Sequence, residues 1–528
     1  MILIRLLARR HRAFVTAWVI AILALSGLTL DAYQSTYASA QAKLAAVVLA
    51  QNNAVSTMLY GTLPSPGTPA QMFTWEIGTF VTLLVSILAV LLAVRLTRAA
   101  EDDGTQEVIR GTGVGAQALL KAAVSLLIAV AITLSAGCTL AVASSIGSID
   151  GVTMRGAVAF GAVVAATFLV VALTTVVLAQ IVPFASGVRM GGFGLLAVAF
   201  VARAGGDTQD WAAVARLSPL DLRASVAPFT HDRPVPLLVA AIVCLALIAT
   251  AHGLGARREM GGGFVPVRTR LDRRLRTGSL FVFAARLARG RALAWAVATA
   301  VTAAALTAMG SGVITSTRDG NVTGGFLGAQ LLDADPATAY LSYIGTLVGI
   351  MLSIQGVLAV LGVLADERSG VTVNVRATGS RRSSPLGVQV ALSAPGSLLV
   401  LVLVGAAMAA VAVRAISGPH VGEQAFVHMV GQWPAVMAVV GLTALLVGAA
   451  PRLSSAGWVF LGASALVSLL GSVLNAPPWL VRLSAYGHAP DATSIGAATG
   501  ATACLLAVAG AAIVAGLAGA SRRDVVSR

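Results

Sequence analysis

Five charged side chains fall within ten positions of one another in "RAAEDDGTQEVIRGTG", Arg98 to Gly113: Glu101, Asp102, Asp103, Glu107 and Arg110. The pattern E-x-x-G-x5-R-x-T-G returns in "ERSGVTVNVRATG", where Glu367, Gly370 and Arg376 stand in the places of Glu101, Gly104 and Arg110. The chemistry open to such a set is electrostatic contact. Gly104 and Gly370 permit a turn, acids before or within a first helical turn favour a helix N-terminus, and each arginine then lies toward the other end. A short helix with charged ends suits a groove on a cytoplasmic partner protein, and two copies imply two equivalent grooves on a two-fold symmetric partner. The other reading is a solvated loop whose charges only fix membrane topology.

Other chemistry is sparse. The chain has no G-x-x-x-x-G-K-[ST] phosphate loop and no Gly-Lys pair, so the sequence predicts that it does not hydrolyse ATP itself. No H-E-x-x-H, G-x-S-x-G or Cys/His cluster suggests an enzyme or a metal site, and the six histidines are scattered. Cys138, Cys244 and Cys504 all sit inside apolar runs and behave as small hydrophobes.

The elements that must carry the polar segments are membrane spans. The 528 residues are 57% hydrophobic and 11% charged, with a mean hydropathy of +0.88, against roughly 25% charged in a soluble domain. Apolar runs predict twelve spans, at 14–30, 77–94, 122–145, 157–181, 190–202, 235–251, 292–314, 341–364, 387–412, 434–450, 457–474 and 495–518. With the N-terminus inside, 27 of the 36 Lys and Arg residues fall on the cytoplasmic side, which places both termini there. That bias accounts for most of the net charge of +15 without nucleic acid as a partner. A cleaved signal peptide over the first forty residues, ending at "ASA", is the competing reading, but losing the first span would reverse the charge bias.

The chain is also written twice. At an offset of 266, Glu101 meets Glu367, Gly104 meets Gly370, Arg110 meets Arg376, and "RLSP" (216–219) meets "RLSA" (482–485); at 265, "ARREM" (256–260) meets "SRRDV" (521–525). The expected architecture is an all-α integral membrane protein of two parallel six-helix repeats. These are a first half over 1–260, a basic cytoplasmic linker and interfacial helix over 261–291, and a second half over 292–528. Duplication of this kind marks transporters that move substrate between halves.

Further expectations follow along the chain. "ILIRLLARRHR" and "SLFVFAARLARGR" suit helices in the membrane interface before the first span of each half. The outer segments 204–234 and 475–494 suit short re-entrant helices or aromatic anchors. No Asp, Glu, Lys or Arg falls inside a span as drawn, which argues against ion coupling and for an apolar cavity with a hydrophobic or amphipathic substrate. Phe14, Trp18, Trp295 and Met351 are the candidate lining residues.

Taken together, the duplication, the acidic-glycine loops and the twin "RRE/RRD" ends resemble the fused permease subunit of actinobacterial ABC exporters of the polyketide-antibiotic or multidrug type. The resemblance covers nearly the whole chain. It implies a type-two ABC exporter permease fold in a bacterial plasma membrane, paired with two copies of a separate ABC ATPase subunit that bind ATP and Mg. It further implies that loops 101–113 and 367–379 are coupling helices seated on those ATPases. The short loops 182–189 and 451–456, with Ser186, Arg189 and Arg452, would be minor coupling elements. Transport would proceed by alternating access. Even symmetry is broken where Val373 stands for Glu107 and Arg368 for Asp102, so the first loop is expected to make the stronger polar contacts. The rival reading is an ion-coupled twelve-span secondary carrier of major facilitator type; a third is a non-transporting scaffold or sensor.

Overall fold

A computed structural model describes residues 2–30, 33–34, 40–52, 57, 60–115, 117–208, 211–259, 261–264, 278–308, 310, 314, 335–470, 479, 483–488 and 495–523. Among these residues there is no strand. The chain divides into two compact units, Met1–Leu271 and Asp272–Arg528.

In the first unit, α1 runs over Ile2–Leu28, α2 over Ala40–Asn52, α3 over Pro69–Leu96, α4 over Arg98–Asp102 and α5 over Thr105–Arg110. The remainder is α6 (Ala118–Ala143), α7 (Met154–Ile181), α8 (Ala185–Thr208), α9 (Ala212–Arg216), α10 (Leu222–Val226) and α11 (Val235–Arg257). The second unit holds α12 (Leu280–Ala308), α13 (Pro336–Arg368), α14 (Val371–Ala377) and α15 (Ser384–Ala415). It continues with α16 (Val421–Val430), α17 (Trp433–Ala449), α18 (Ala456–Leu470) and α19 (Ile495–Arg522).

Local sequence sets the starts of the central helices. Thr68 and Gln71 form a capping box ahead of α3, with Pro69 in the first turn where its missing N–H costs nothing. Asp335 caps α13 by accepting from the Thr338 N–H, again beside a proline, and Thr153 caps α7. Neither α3 nor α13 has a polar stripe, as expected of helices surrounded by others.

Packing repeats between the units. The second span lies against the fourth (α3 on α7; α13 on α17), the fourth against the sixth (α7 on α11; α17 on α19), and the first against the third (α1 on α6; α12 on α15). In the second unit the α17–α19 contact depends on small residues, because membrane helices gain from close backbone approach rather than from the hydrophobic effect. A Cβ at Gly448 would run into the Gly516 carbonyl. Gly448→Ala is therefore expected to cost about 1–3 kcal/mol by overpacking, read as a lowered thermal midpoint of the purified chain.

Eleven described helices are long and apolar enough to cross a membrane, and the shorter Ala456–Leu469 occupies the position of the remaining expected span. Three expectations need correction. The fifth span is the full helix α8, not 190–202, because Arg203 and Asp207 lie inside it instead of ending it. The basic segments before the first and seventh spans are not separate interfacial helices: α1 and α12 continue through them. Ionisable groups are also present within spans, since Glu76 lies in α3 with Tyr33 donating to it, and Arg203 in α8 is buried. Of the segment 475–494, all but Trp479 and 483–488 lies outside the described residues.

Candidate functional site

Each repeated polar segment folds into the same device. A glutamate stands at the end of the second span (Glu101 on α4 just past α3, Glu367 in the last turn of α13), three residues later a glycine turns the chain with positive φ (Gly104 at 72°, Gly370 at 81°), and a short helix follows. That conformation costs an L side chain energy and glycine none, which explains why glycine stands at both turns. The short helices α5 and α14 have six and seven residues, too few to persist alone, so the surrounding contacts must hold them.

The glutamates fix the chain just before each turn. Glu101, with its side chain 5% exposed, takes Arg258 Nη2 at 2.9 Å, Arg98 Nη1 at 3.1 Å and the Gly261 N–H at 2.7 Å. Glu367, 6% exposed, takes Arg523 through both guanidinium nitrogens, at 2.9 and 2.8 Å. Arg258 and Arg523 directly follow α11 and α19, the last spans of their units. The two carboxylates therefore face inward, and a partner protein would not meet them on the loop surface. Arg98 is itself buried and also donates to the Ala179 and Gly262 carbonyls.

The first unit adds further ties. Asp102 accepts from the Ala185 N–H at 2.7 Å, capping α8, and so joins loop 97–113 to the segment 182–189. Asp103 pairs with Arg10 at 2.8 Å and accepts from the Thr105 N–H. Burial works against its ionisation, but the bonds from Thr105 and Arg10 outweigh that and hold its pKa below the usual carboxylate value. Arg368 stands where Asp102 does, so no equivalent cap forms in the second unit. Arg376 is half-buried and donates to the Arg382 carbonyl at 3.4 Å, and Arg110 is half-buried.

Among the residues facing outward are Glu107 and Val108 on α5, and Val373 and Asn374 on α14, at matching positions of the repeat; Val371 and Ala377 of α14 are exposed as well. Ser186 and Arg189 are exposed, in the first turns of α8 and not in a loop; Arg452 is exposed in a single 3-10 turn, Pro451–Leu453. Phe14 and Trp18 form an edge-to-face pair at 6.3 Å, half-buried against the first unit's core, with the Arg95 guanidinium over Phe14. Trp295 lines a cavity of about 200 Å³ between α12, α13 and α15, with Gln355 and Gln389 also in its wall. Met351 is half-buried on α13.

A second charged cluster lies in the first unit, with only a weak signal in the sequence. Arg203 and Asp207, one turn apart on α8, lie 3.7 Å apart. Arg223 on α10 is buried between the Tyr60 and Thr74 carbonyls, to both of which it donates, and Asp221 accepts from the Ser225 hydroxyl. The signal was the i,i+4 spacing of Arg203 and Asp207 and the "DLR" after Ser218-Pro219.

Residues 278–520 match the family model described as the multidrug efflux system permease Rv1217c, C-terminal domain. Over 99% of its own length and 94% of the relative's, the chain is 28% identical to the multidrug efflux system permease protein Rv1217c of Mycobacterium tuberculosis. The resemblance to actinobacterial multidrug exporter permeases holds from one end of the chain to the other.

Proposed function

From this end-to-end similarity to a mycobacterial multidrug efflux permease, we propose that the chain is the permease subunit of an ATP-driven exporter. It moves hydrophobic or amphipathic, drug-like compounds out of the cytoplasm or inner leaflet of a bacterial plasma membrane. The observation that carries the coupling role is the repeated device itself: a pinned glutamate, a glycine turn and a short helix with an exposed face, once in each unit. The Lys/Arg bias supports placing both loops, and both termini, in the cytoplasm.

In this reading two copies of a separate ATPase subunit, which bind ATP and Mg, receive α5 and α14 in surface grooves. Closure of the ATPase pair displaces the short helices, and each six-span half tilts with its helix, so that the substrate path changes the side it opens to. Ser186, Arg189 and Arg452 give minor contacts. Phe14 and Trp18 hold the first half together, whereas Trp295 is the residue best suited to touch substrate.

One observation favours the rival, an ion-coupled carrier. The half-buried Glu76 and Asp207, with the buried Arg203, Asp221 and Arg223, include the intramembrane ionisable residues that such carriers need. Cells expressing the chain with its partner ATPase separate the two readings. Dye efflux is expected to continue when an uncoupler collapses the proton gradient and ATP is maintained, and to stop when ATP alone is depleted. The reverse pattern would replace the exporter with the carrier.

A further inference from the structure

We infer that Arg258 and Arg523 are positioning residues that lock each coupling loop to the last span of its own half, so that a displaced loop moves the second and sixth spans together. This rests on the coupling role proposed above for the loops. Three observations support it. The pairing is the same in both units although the partners lie 157 and 156 residues apart in sequence. Both arginines directly follow the unit's final span, and both glutamates lie three residues before the turning glycine. The second and sixth spans each pack on the fourth, so the ion pair closes a triangle of helices at the loop end.

Stability alone is a weak reason for such pairs. Taking two charges out of water is costly, and a well-packed apolar pair serves a core at least as well. A mechanical reason is stronger. Without the pin, the short helix hangs from the second span through a turn at glycine, and a push on it would be absorbed there. With the pin, the stretch before the turn is fixed to another span, and the push is transmitted. The two halves are not pinned equally. Glu101 has Arg98 and the Gly261 N–H as well as Arg258, and Asp102 adds the cap on α8, whereas Glu367 depends on Arg523. Transmission in the second half is thus the more sensitive to its arginine.

The test uses the full chain with its ATPase in proteoliposomes. It measures ATPase co-purification, ATP hydrolysis and dye transported per ATP hydrolysed. In Glu367→Gln with Arg523→Gln, both charges go while amide partners remain, so insertion and co-purification should persist. Transport per ATP is expected to fall about tenfold or more, as lost coupling between sites requires. The charge-swapped pair Glu367→Arg with Arg523→Glu is expected to recover a substantial part of that loss. Wild-type transport per ATP in the neutral pair, or a swapped pair no better than the neutral one, overturns the inference. Should the neutral pair fail to insert, Arg523→Lys carries the same question, because lysine keeps the charge and loses the two-pronged bond; an unchanged ratio there also overturns it. A wild-type chain that binds no ATPase is a separate signature: it removes the coupling role, and the pin's part in it falls with that role.

Discussion

Arg223→Met is expected to destabilise the first unit by about 3–5 kcal/mol, the cost of stripping one partner from a buried charge network. Arg223 is 6% exposed and its guanidinium donates to the carbonyls of Tyr60 and Thr74, so it fastens the residues before α3 and the first turns of α3 to α10. Burial pushes its pKa down to about 10, and the like charge of Arg203 adds to this while Asp207 and Asp221 oppose it, so the group stays charged at neutral pH. Methionine matches its length but supplies no charge or donor. Two carbonyls then lose that donor, and Asp207 and Asp221 lose a neighbouring cation, leaving Arg203 to both and Arg216 to Asp221. The thermal midpoint of the purified full chain should drop sharply. Arg223→Met combined with Asp207→Asn should recover part of that drop, since one of the stranded carboxylates is then neutral. Equal midpoints for wild type and the single variant would show that the cluster is solvated and bears no load.

The second unit's sequence has no charged residue at the corresponding positions. At the repeat offset Arg203, Asp207, Asp221 and Arg223 fall on Leu469, Val473, Gly487 and Ala489. Ser484 there bonds instead to Ser468 and to the Ser464 carbonyl. The halves share their loop device and their span packing, but the charged cluster of the first half has no counterpart in the sequence of the second.

The contrast explains what could be read from sequence. Spans were legible because membrane helices need long apolar runs, and the repeat was legible because its polar landmarks keep one offset in an apolar background. The charged cluster is not legible because the apolar run stops at residue 202, where Arg203 resembles a boundary. A buried arginine and a boundary arginine look alike in sequence; only the carboxylate one turn later, Asp207, distinguishes them. The loops were found, but not which way their charges point. Glu101 and Glu367 look available to a partner when only neighbours in sequence are considered. Their true partners, Arg258 and Arg523, lie more than 150 residues away. The matching "RRE" and "RRD" ends were visible as a repeat, and their purpose appeared only when both ends met the loops.

In the proposed coupling role, the inward-facing glutamates leave the outward faces of α5 and α14 for docking, and Val108 with Val373 is the pair to test. They are 74% and 55% exposed, large apolar side chains on helices that make few contacts through those faces. Covering a valine contributes about 1.5 kcal/mol or more, and placing an unpaired carboxylate in the same contact adds a desolvation cost. Val108→Asp with Val373→Asp is therefore expected to weaken ATPase binding by about a hundredfold or more, at about 1.4 kcal/mol per factor of ten. Thermal stability should be unchanged, because neither side chain belongs to its unit's core. On the first loop the acids Asp103 and Glu107 are exposed beside Val108, whereas on the second Asp366, Arg368, Arg381 and Arg382 are exposed and the residue at the place of Glu107 is Val373 itself. The contacts of the two loops therefore differ in the sign of their charge, and docking through either should weaken as salt is raised, since exposed charge pairs are screened. If the double variant retains its ATPase at wild-type affinity, the short helices are not the docking surface, and the repeated loops serve only to tie spans two and six together.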